Sequence, residues 1–299
     1  MRIDRIPFVS RHALRRNLVS SAKGAFPCVE KQSLSLFVAP AFATAVSELD
    51  LHETIPSDIP ASPISESGRA PSRVLALKGH DARLHLRPAR HGGALAFLWR
   101  NRVAGPNRFL RELEVTRTLK ARGAPVPTPV LVQTRRRRFL TEVCVGSLHE
   151  EGTMDLLTFL KQNPPREELP QLARRVASAV RRFHDCGGCH PDLHAGNVLV
   201  SIDSAKSKTL VIDLDGAEIR ETVSARRRMR ELMRLHRSLR KNGLLARVGC
   251  PSVADFLERY SEGDANLARG LLAALPLEKR RELLHVIAWH LQSLLRRRT

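Results

Sequence analysis

The sequence predicts an α+β fold, with an antiparallel β-sheet and one helix in its first part and mainly helices in its second. Three observations carry this expectation. Between Arg73 and Arg87, Val74 to Leu77 and then Leu84 and Leu86 flank a Lys78-Gly79-His80-Asp81 turn, which is the pattern of a β-hairpin. From Leu169 to Asp185 and again from Glu221 to Lys241, apolar residues return every three or four positions, as on one face of a helix. Between those helices lie two apolar runs, Val198-Leu199-Val200 and Leu210-Val211-Ile212, too short for helices and separated by a polar turn, so they read as paired strands.

Taken in order, residues 1 to 66 are expected to form a poorly ordered extension. Arg2 to Lys31 is basic, the apolar stretch Leu34 to Val46 is interrupted by Pro40, and Ile55 to Pro63 is rich in Pro and Ser. Residues 67 to 145 make the sheet lobe. Its helix runs from Asn107 to Arg122, with Leu110, Leu113 and Leu119 on one face, Pro106 near its start and Gly123 just past its end. Pro125, Pro127 and Pro129 then make an extended connection into a strand over Val130 to Gln133. After the Arg135 to Arg138 run, a further strand covers Phe139 to Val145. Residues 146 to 299 make the helical lobe: helices over Thr153–Lys161, Leu169–Asp185, Glu221–Lys241, Val253–Tyr260 and Leu277–Leu295, with the two short strands between the second and third.

Charge narrows the partners. Lys and Arg number 50 against 30 Asp and Glu, a formal net charge of +20 in 299 residues. Such a field favours polyanions: nucleic acid, an anionic membrane or a phosphorylated glycolipid. No zinc-finger, recognition-helix or RNP pattern supports nucleic acid. No apolar run approaches the roughly 18 residues of a spanning helix, so any membrane contact is expected to be peripheral. The basic end Arg296-Arg297-Arg298 of an amphipathic helix is compatible with an anionic leaflet. Five cysteines without framework spacing point to a reducing compartment. Cys186-Gly187-Gly188-Cys189-His190 matches half of a zinc site and the haem-attachment pattern, yet no second cysteine pair follows, and His190 is better explained below.

The chemistry gathers between Cys189 and Gly216. Pairing the two short strands brings Asn197 and Asp213 to the same end of the ribbon, with Asp192 one loop away. This suits phosphoryl transfer, in which the protein chiefly holds metal, nucleotide and acceptor hydroxyl in line. Mg²⁺ takes hard oxygen ligands and keeps several waters, so the Asp213 carboxylate and the Asn197 amide oxygen suffice as metal ligands. Asp192, a carboxylate that need not touch the metal, is the candidate base for the attacking alcohol.

These residues carry a resemblance. His190 to Asn197, HPDLHAGN, resembles the HxDxxxxN catalytic loop of the protein-kinase-like superfamily, and Asp213-Leu214-Asp215 resembles its DFG element with Asp215 in the glycine position. The segment from about Gly68 to Lys241 is similar to the lipopolysaccharide kinase (Kdo/WaaP) family, the 3-deoxy-D-manno-octulosonic acid (Kdo) kinases in particular. The shared features are GRA at Gly68, LRPARHGG at Leu86 to Gly93, APVPTPV at Ala124 to Val130, LTE at Leu140 to Glu142, FHDCGGCHPDLHAGNVLV, VIDLDGA, and RLHRSLRK at Arg234 to Lys241. The resemblance implies a bilobal protein-kinase-like fold using ATP and Mg²⁺. It implies that Arg87 stands where a phosphate-binding lysine is usual, that Glu112 orients that cation, that Glu142 flanks the adenine through its backbone at the hinge, and that His190 braces the catalytic loop. It further implies a lipid-linked anionic sugar acceptor, namely Kdo on a lipid A precursor phosphorylated at its 4-hydroxyl, and a site of action at the cytoplasmic face of the inner membrane. Two alternatives stay open: a related phosphotransferase acting on another small-molecule or protein hydroxyl, and a non-catalytic kinase-like binding module. Cationic acceptors such as aminoglycosides suit a chain this basic poorly, and joint retention of Asp192, Asn197 and Asp213 argues against the module.

Overall fold

The computed structural model describes residues 28–31, 34–49, 51, 72–77, 79–89, 102–103, 106–137, 140–203, 207–247 and 253–296. The chain divides into two compact units. One comprises the described residues up to Lys120 together with Pro127–Glu150; the other comprises Ala121–Val126 and the described residues from Glu151 onward.

The first unit is built on β1 (Cys28–Lys31), β2 (Leu34–Val38), β3 (Arg73–Ala76), β4 (Arg83–Pro88), β5 (Arg102–Val103), β6 (Pro129–Arg137) and β7 (Leu140–Leu148). They form one antiparallel sheet in the order β1-β2-β6-β7-β4-β3, with β5 also paired to β7. The predicted hairpin is β3–β4, with Leu75 opposite Leu84. Because successive strand residues face opposite ways, both sheet faces are apolar. Leu36 and Leu131 pack with Leu84, Leu86, Val46 and Leu51 on one face. Phe37, Val132 and Val143 pack on the other against Phe109, Leu110 and Leu113 of α2 (Asn107–Ala121).

The described residues between 28 and 51 depart from the expected poorly ordered extension. Leu34–Val38 is inserted into the sheet between β1 and β6, and α1 (Ala43–Ser47) covers one sheet face with Ala45 and Val46. Pro40 opens the 3₁₀ turn Pro40–Phe42 rather than breaking an apolar segment, because its missing N–H is not needed in a first turn. Gln133 in β6 donates its side-chain amide to the Leu51 carbonyl and ties the end of this cover down. Residues 1–27 and 52–66 lie outside the described residues, as do Lys78, the His91-Gly92-Gly93 segment and the terminal Arg297-Arg298.

The second unit contains β8 (Thr153–Asp155), α3 (Leu156–Lys161), α4 (Leu169–Asp185), β9 (Gly188–Cys189), β10 (Val198–Ser201), β11 (Thr209–Val211), β12 (Glu218–Ile219), α5 (Ala225–Lys241), α6 (Val253–Ser261) and α7 (Ala265–Arg296). The stripe Leu172, Val176, Val180 and Phe183 of α4 is buried as its periodicity predicts. Thr153 to Asp155 was expected to begin a helix; instead it pairs with β10, which would otherwise have an open edge, and the Asp155 side chain caps α3 by accepting from the Thr158 N–H at 3.0 Å. Ser224 caps α5 likewise, so that helix starts at Ala225 rather than Glu221. In α7 the helix runs through Pro276, so the last helix starts well before Leu277.

Candidate active site

In the second unit α4 delivers the chain to the loop through Cys186 and Gly187, whose φ of +87° reverses direction. A Cβ at Gly187 would collide with the Arg220 carbonyl oxygen, and one at Gly188 would meet the Phe183 ring at 2.6 Å. The glycine pair is therefore set by close backbone approach, and it lets Gly188 and Cys189 pair with Ile219 and Glu218. Neither cysteine is in a disulfide: the Cys186 thiol donates to the Arg122 carbonyl at 3.2 Å, and burial pushes the Cys189 thiol up to about 11. Among the described residues no group of three or more His, Cys, Asp or Glu side chains is arranged to hold a metal.

His190 is the keystone of the loop. Its Nδ1 accepts from the Asp192 N–H at 3.1 Å, which leaves Nε2 to donate to the Ile212 carbonyl at 3.0 Å. One neutral imidazole thus holds the residue carrying the candidate base and the residue just before Asp213. Burial lowers the His190 pKa, against the raising influence of the Ile212 carbonyl and neighbouring carboxylates. Asn197 is almost fully buried at 1% exposure and closes the loop, with Nδ2 donating to the Asp192 carbonyl at 2.9 Å. Its own carbonyl accepts from the Ile212 N–H at 2.9 Å, in continuation of the β10–β11 register that sets Val198 opposite Val211. Asp213 follows in a left-handed conformation, φ +59°, which turns the chain out of the strand. Asp192, Asn197 and the residue just before Asp213 are thereby drawn into one hydrogen-bonded arrangement.

Two side-chain features of this group bear on chemistry. With Nδ2 committed, the Asn197 Oδ1 is buried and has no hydrogen-bond partner among the described residues. A buried carbonyl oxygen left so is costly, and a hard cation beside it would remove the cost. The Asp192 side chain, by contrast, is 76% exposed, with its Oδ2 3.7 Å from His194 Nε2. His194 is itself fixed, its Nδ1 accepting from the Gly196 N–H at 3.0 Å.

The loop rests on a buried polar network that sequence reading did not find. Glu231 of α5 is fully buried and accepts from the His190 N–H at 2.8 Å, His184 Nε2 at 3.1 Å and Arg227 Nε at 2.8 Å. His184 Nδ1 in turn accepts from the Tyr260 hydroxyl at 2.6 Å, and that hydroxyl accepts from Arg228, which also binds Asp185 at 2.6 Å. The donors run in one consistent direction toward Glu231. Burial works against the Glu231 charge, but His184, the His190 amide and Arg227 hold its pKa below the ordinary value; burial pushes the Tyr260 hydroxyl up, so it remains a donor. The available signal was Glu231 itself, the one acid in Ala225–Lys241, set among Met229, Leu232 and Met233 on the apolar face. The same helix makes a second contact: Ser238 Oγ accepts from the Ala195 N–H at 3.3 Å. This gives the RLHRSLRK segment a mechanical role as a support for the loop.

In the first unit Arg87 on β4 reaches Glu112 on α2, NH2 to Oε1 at 2.7 Å, and Glu112 is buried. Glu114 is also buried but pairs with Arg117 at 2.6 Å on its own helix. Glu142 lies elsewhere than expected. It sits near the β6–β7 turn, opposite Arg135 and Arg102 in register and paired with Arg135 Nε at 2.8 Å, while β7 continues to Leu148. It is thus a strand-interior residue and not the strand end that a hinge role requires; strand length, read as ending at Val145, was the source of the misplacement.

Comparison with known proteins agrees with this picture. The model of the lipopolysaccharide kinase (Kdo/WaaP) family matches residues 66–260. A 3-deoxy-D-manno-octulosonic acid kinase of Xylella fastidiosa (strain M12) is 32% identical over 185 residues, covering 60% of this chain and 70% of that protein. One from Xanthomonas campestris pv. campestris (strain B100) is 31% identical over 191 residues, with the same coverage. Among solved structures, WaaP in complex with acyl carrier protein aligns with a TM-score of 0.46 at 15% identity, covering 91% of this chain and 96% of that one. The α+β architecture, the HPDLHAGN loop and the family match over most of the chain together establish that this protein belongs to the lipopolysaccharide kinase (Kdo/WaaP) family.

Proposed function

We propose that this kinase phosphorylates a Kdo residue, at its 4-hydroxyl, on a lipid A precursor during lipopolysaccharide core synthesis. ATP is the donor, and the reaction takes place at the cytoplasmic face of the inner membrane, with the protein peripheral to it. The observation that carries the reading is the buried Asn197 Oδ1, without a hydrogen-bond partner among the described residues and next to the strand end that supplies Asp213. Those two oxygens would hold Mg²⁺, which when bound neutralises charge on the triphosphate. Asp192, exposed at its carboxylate but fixed at its backbone N–H and C=O, can accept the acceptor's hydroxyl proton. Its mobility is confined to the side chain, because His190 and Asn197 hold the peptide groups on both sides. Arg87 would bind phosphate oxygens, its guanidinium oriented by Glu112. The relatives named Kdo kinases favour Kdo as the acceptor sugar, and the net charge of +20 favours a lipid carrying phosphates and carboxylates.

The test is mass analysis of Kdo-containing lipid A precursor incubated with ATP and Mg²⁺. A phosphate-sized gain is expected with the wild-type protein, reduced by about 10²- to 10⁴-fold in rate with Asp192→Ala. The variant should melt with the wild type because an exposed side chain is removed. No gain with the wild type would overturn the acceptor assignment, and an undiminished rate in the variant would overturn the role of Asp192.

A further inference from the structure

Helix α5 carries a strip of arginines along the flank beside its loop-supporting edge. Glu231 and Ser238, two helical turns apart, touch the backbone at His190 and Ala195. Arg227 and Arg234 lie within about 60° of those two residues around the helix axis, and Arg230 and Arg237 follow on the same side. Near the start of the helix, Arg220, Arg226, Arg227 and Arg230 line an open recess of about 360 Å³.

Arg220, Arg227 and Arg230 on this flank have carboxylate partners. Glu231 serves Arg227 at 2.8 Å, Glu278 lies 3.7 Å from Arg230 and is shared with Arg281, and Glu218 serves Arg220 at 3.0 Å. Arg234 has no hydrogen bond or ion pair among the described residues, and its NH1 is buried. Its pKa is lowered by burial and, despite Glu231, by the neighbouring guanidiniums of Arg227, Arg230 and Arg237. A partly buried guanidinium held among like charges without a partner is unfavourable in the free protein. An oxyanion at this place would supply the missing acceptor and relieve the repulsion, and arginine is suited to holding phosphate or carboxylate through paired N–H groups.

We propose that the Arg227–Arg237 strip, centred on Arg234, is a subsite for phosphate or carboxylate groups of the phosphoryl acceptor, placing the acceptor alongside the loop that carries Asp192. This rests on the kinase reading above and names the part of the molecule that recognises the acceptor's charge. The strip engages groups remote from the reacting hydroxyl, so its contribution is to affinity and orientation.

The test is equilibrium binding by the full-length protein, without ATP, of a diphosphorylated disaccharide glycolipid in neutral detergent micelles, compared with its dephosphorylated form. The wild type should prefer the phosphorylated form; Arg234→Gln should weaken binding of that form by about 10- to 100-fold while leaving the dephosphorylated form unaffected, and Arg234→Lys should recover part of the loss. Because the substitution removes a repelled charge, Arg234→Gln should melt at or above the wild-type temperature. The proposal is overturned if the wild type shows no preference, if Arg234→Gln keeps it, or if both forms weaken alike. Arginine-dependent binding of a DNA duplex or an acidic protein, with no glycolipid preference, also overturns it. Phosphorylation of Kdo lipid by the wild type is measured separately: turnover without the Arg234 effect removes only this subsite, and the Arg234 effect without turnover removes only the proposed reaction.

Discussion

Replacing Glu231 by Gln probes the support beneath the catalytic loop. The carboxylate is inaccessible to solvent and receives three donors, the His190 N–H, His184 Nε2 and Arg227 Nε, at 2.8 to 3.1 Å. An amide of the same shape keeps one acceptor oxygen and turns the other position into an N–H₂ facing a donor. Breaking a buried charged pair on one side costs about 3–5 kcal/mol. Since Gln retains one acceptor, the lower end applies, about 3 kcal/mol, or roughly 6–12 °C in melting temperature at about 2–4 °C per kcal/mol. Thermal unfolding followed by circular dichroism at pH 7 measures this. A loss of stability alone would not single out the loop, so amide hydrogen exchange at His190 is the second readout. Its protection should fall by more than that of amides elsewhere in the unit, and kcat should fall while the KM for ATP changes little. A Gln variant that melts within about 2 °C of the wild type with an undisturbed His190 amide would refute the role assigned to Glu231.

Three further outcomes follow from the same geometry. Asp213→Asn should abolish the rise in melting temperature that Mg·ATP gives the wild type, about 2.7 kcal/mol of stabilisation at a hundredfold excess over Kd; a preserved shift would remove Asp213 from the metal. Acidification should destabilise the protein below about pH 6.5, the unfolded histidine value. Burial lowers the His190 pKa and pushes His85 down to about 4, the latter aided by His149 and Arg87. The unfolded chain therefore takes up protons first as pH falls, and stability is lost from about 6.5 downward until the lowered folded values are passed. Denaturant unfolding at pH 7.5 and 5.5 checks this, and His190→Asn should show a smaller dependence. Gly188→Ala should cost about 1–3 kcal/mol by forcing a methyl against Phe183, whose ring lies 2.6 Å from the Cβ position; an unchanged denaturation midpoint would contradict the packing reason given for the glycine.

Periodicity located what local chemistry controls. Leu169–Asp185 carried a complete apolar stripe and folds as read, and the Val198 and Leu210 runs pair in the register that brings Asn197 next to Ile212. His190 as a loop brace was likewise legible, because its role is served by neighbours on the same loop and the next strand. What was missed depends on distant partners. Thr153–Asp155 has no strand signature of its own and becomes a strand because β10 needs an edge. The buried Glu231 cannot be recognised without the His184 it meets from another helix, which Tyr260 of a third helix holds in turn. The strand carrying Glu142 was read as ending at Val145, and long-range pairing carries it further, to Leu148.

The family match begins at residue 66, yet β2 and α1 precede it and close one face of the sheet. A version of the protein shortened only at its start, to residue 66, would keep every residue discussed for phosphoryl transfer and uncover Leu84, Leu86 and Leu131 together with the hydrogen-bonding edge of β6. Such an unpaired edge invites another chain to complete it. Aggregation of the trimmed protein would then arise from a missing lid of the sheet lobe rather than from any defect in the catalytic machinery.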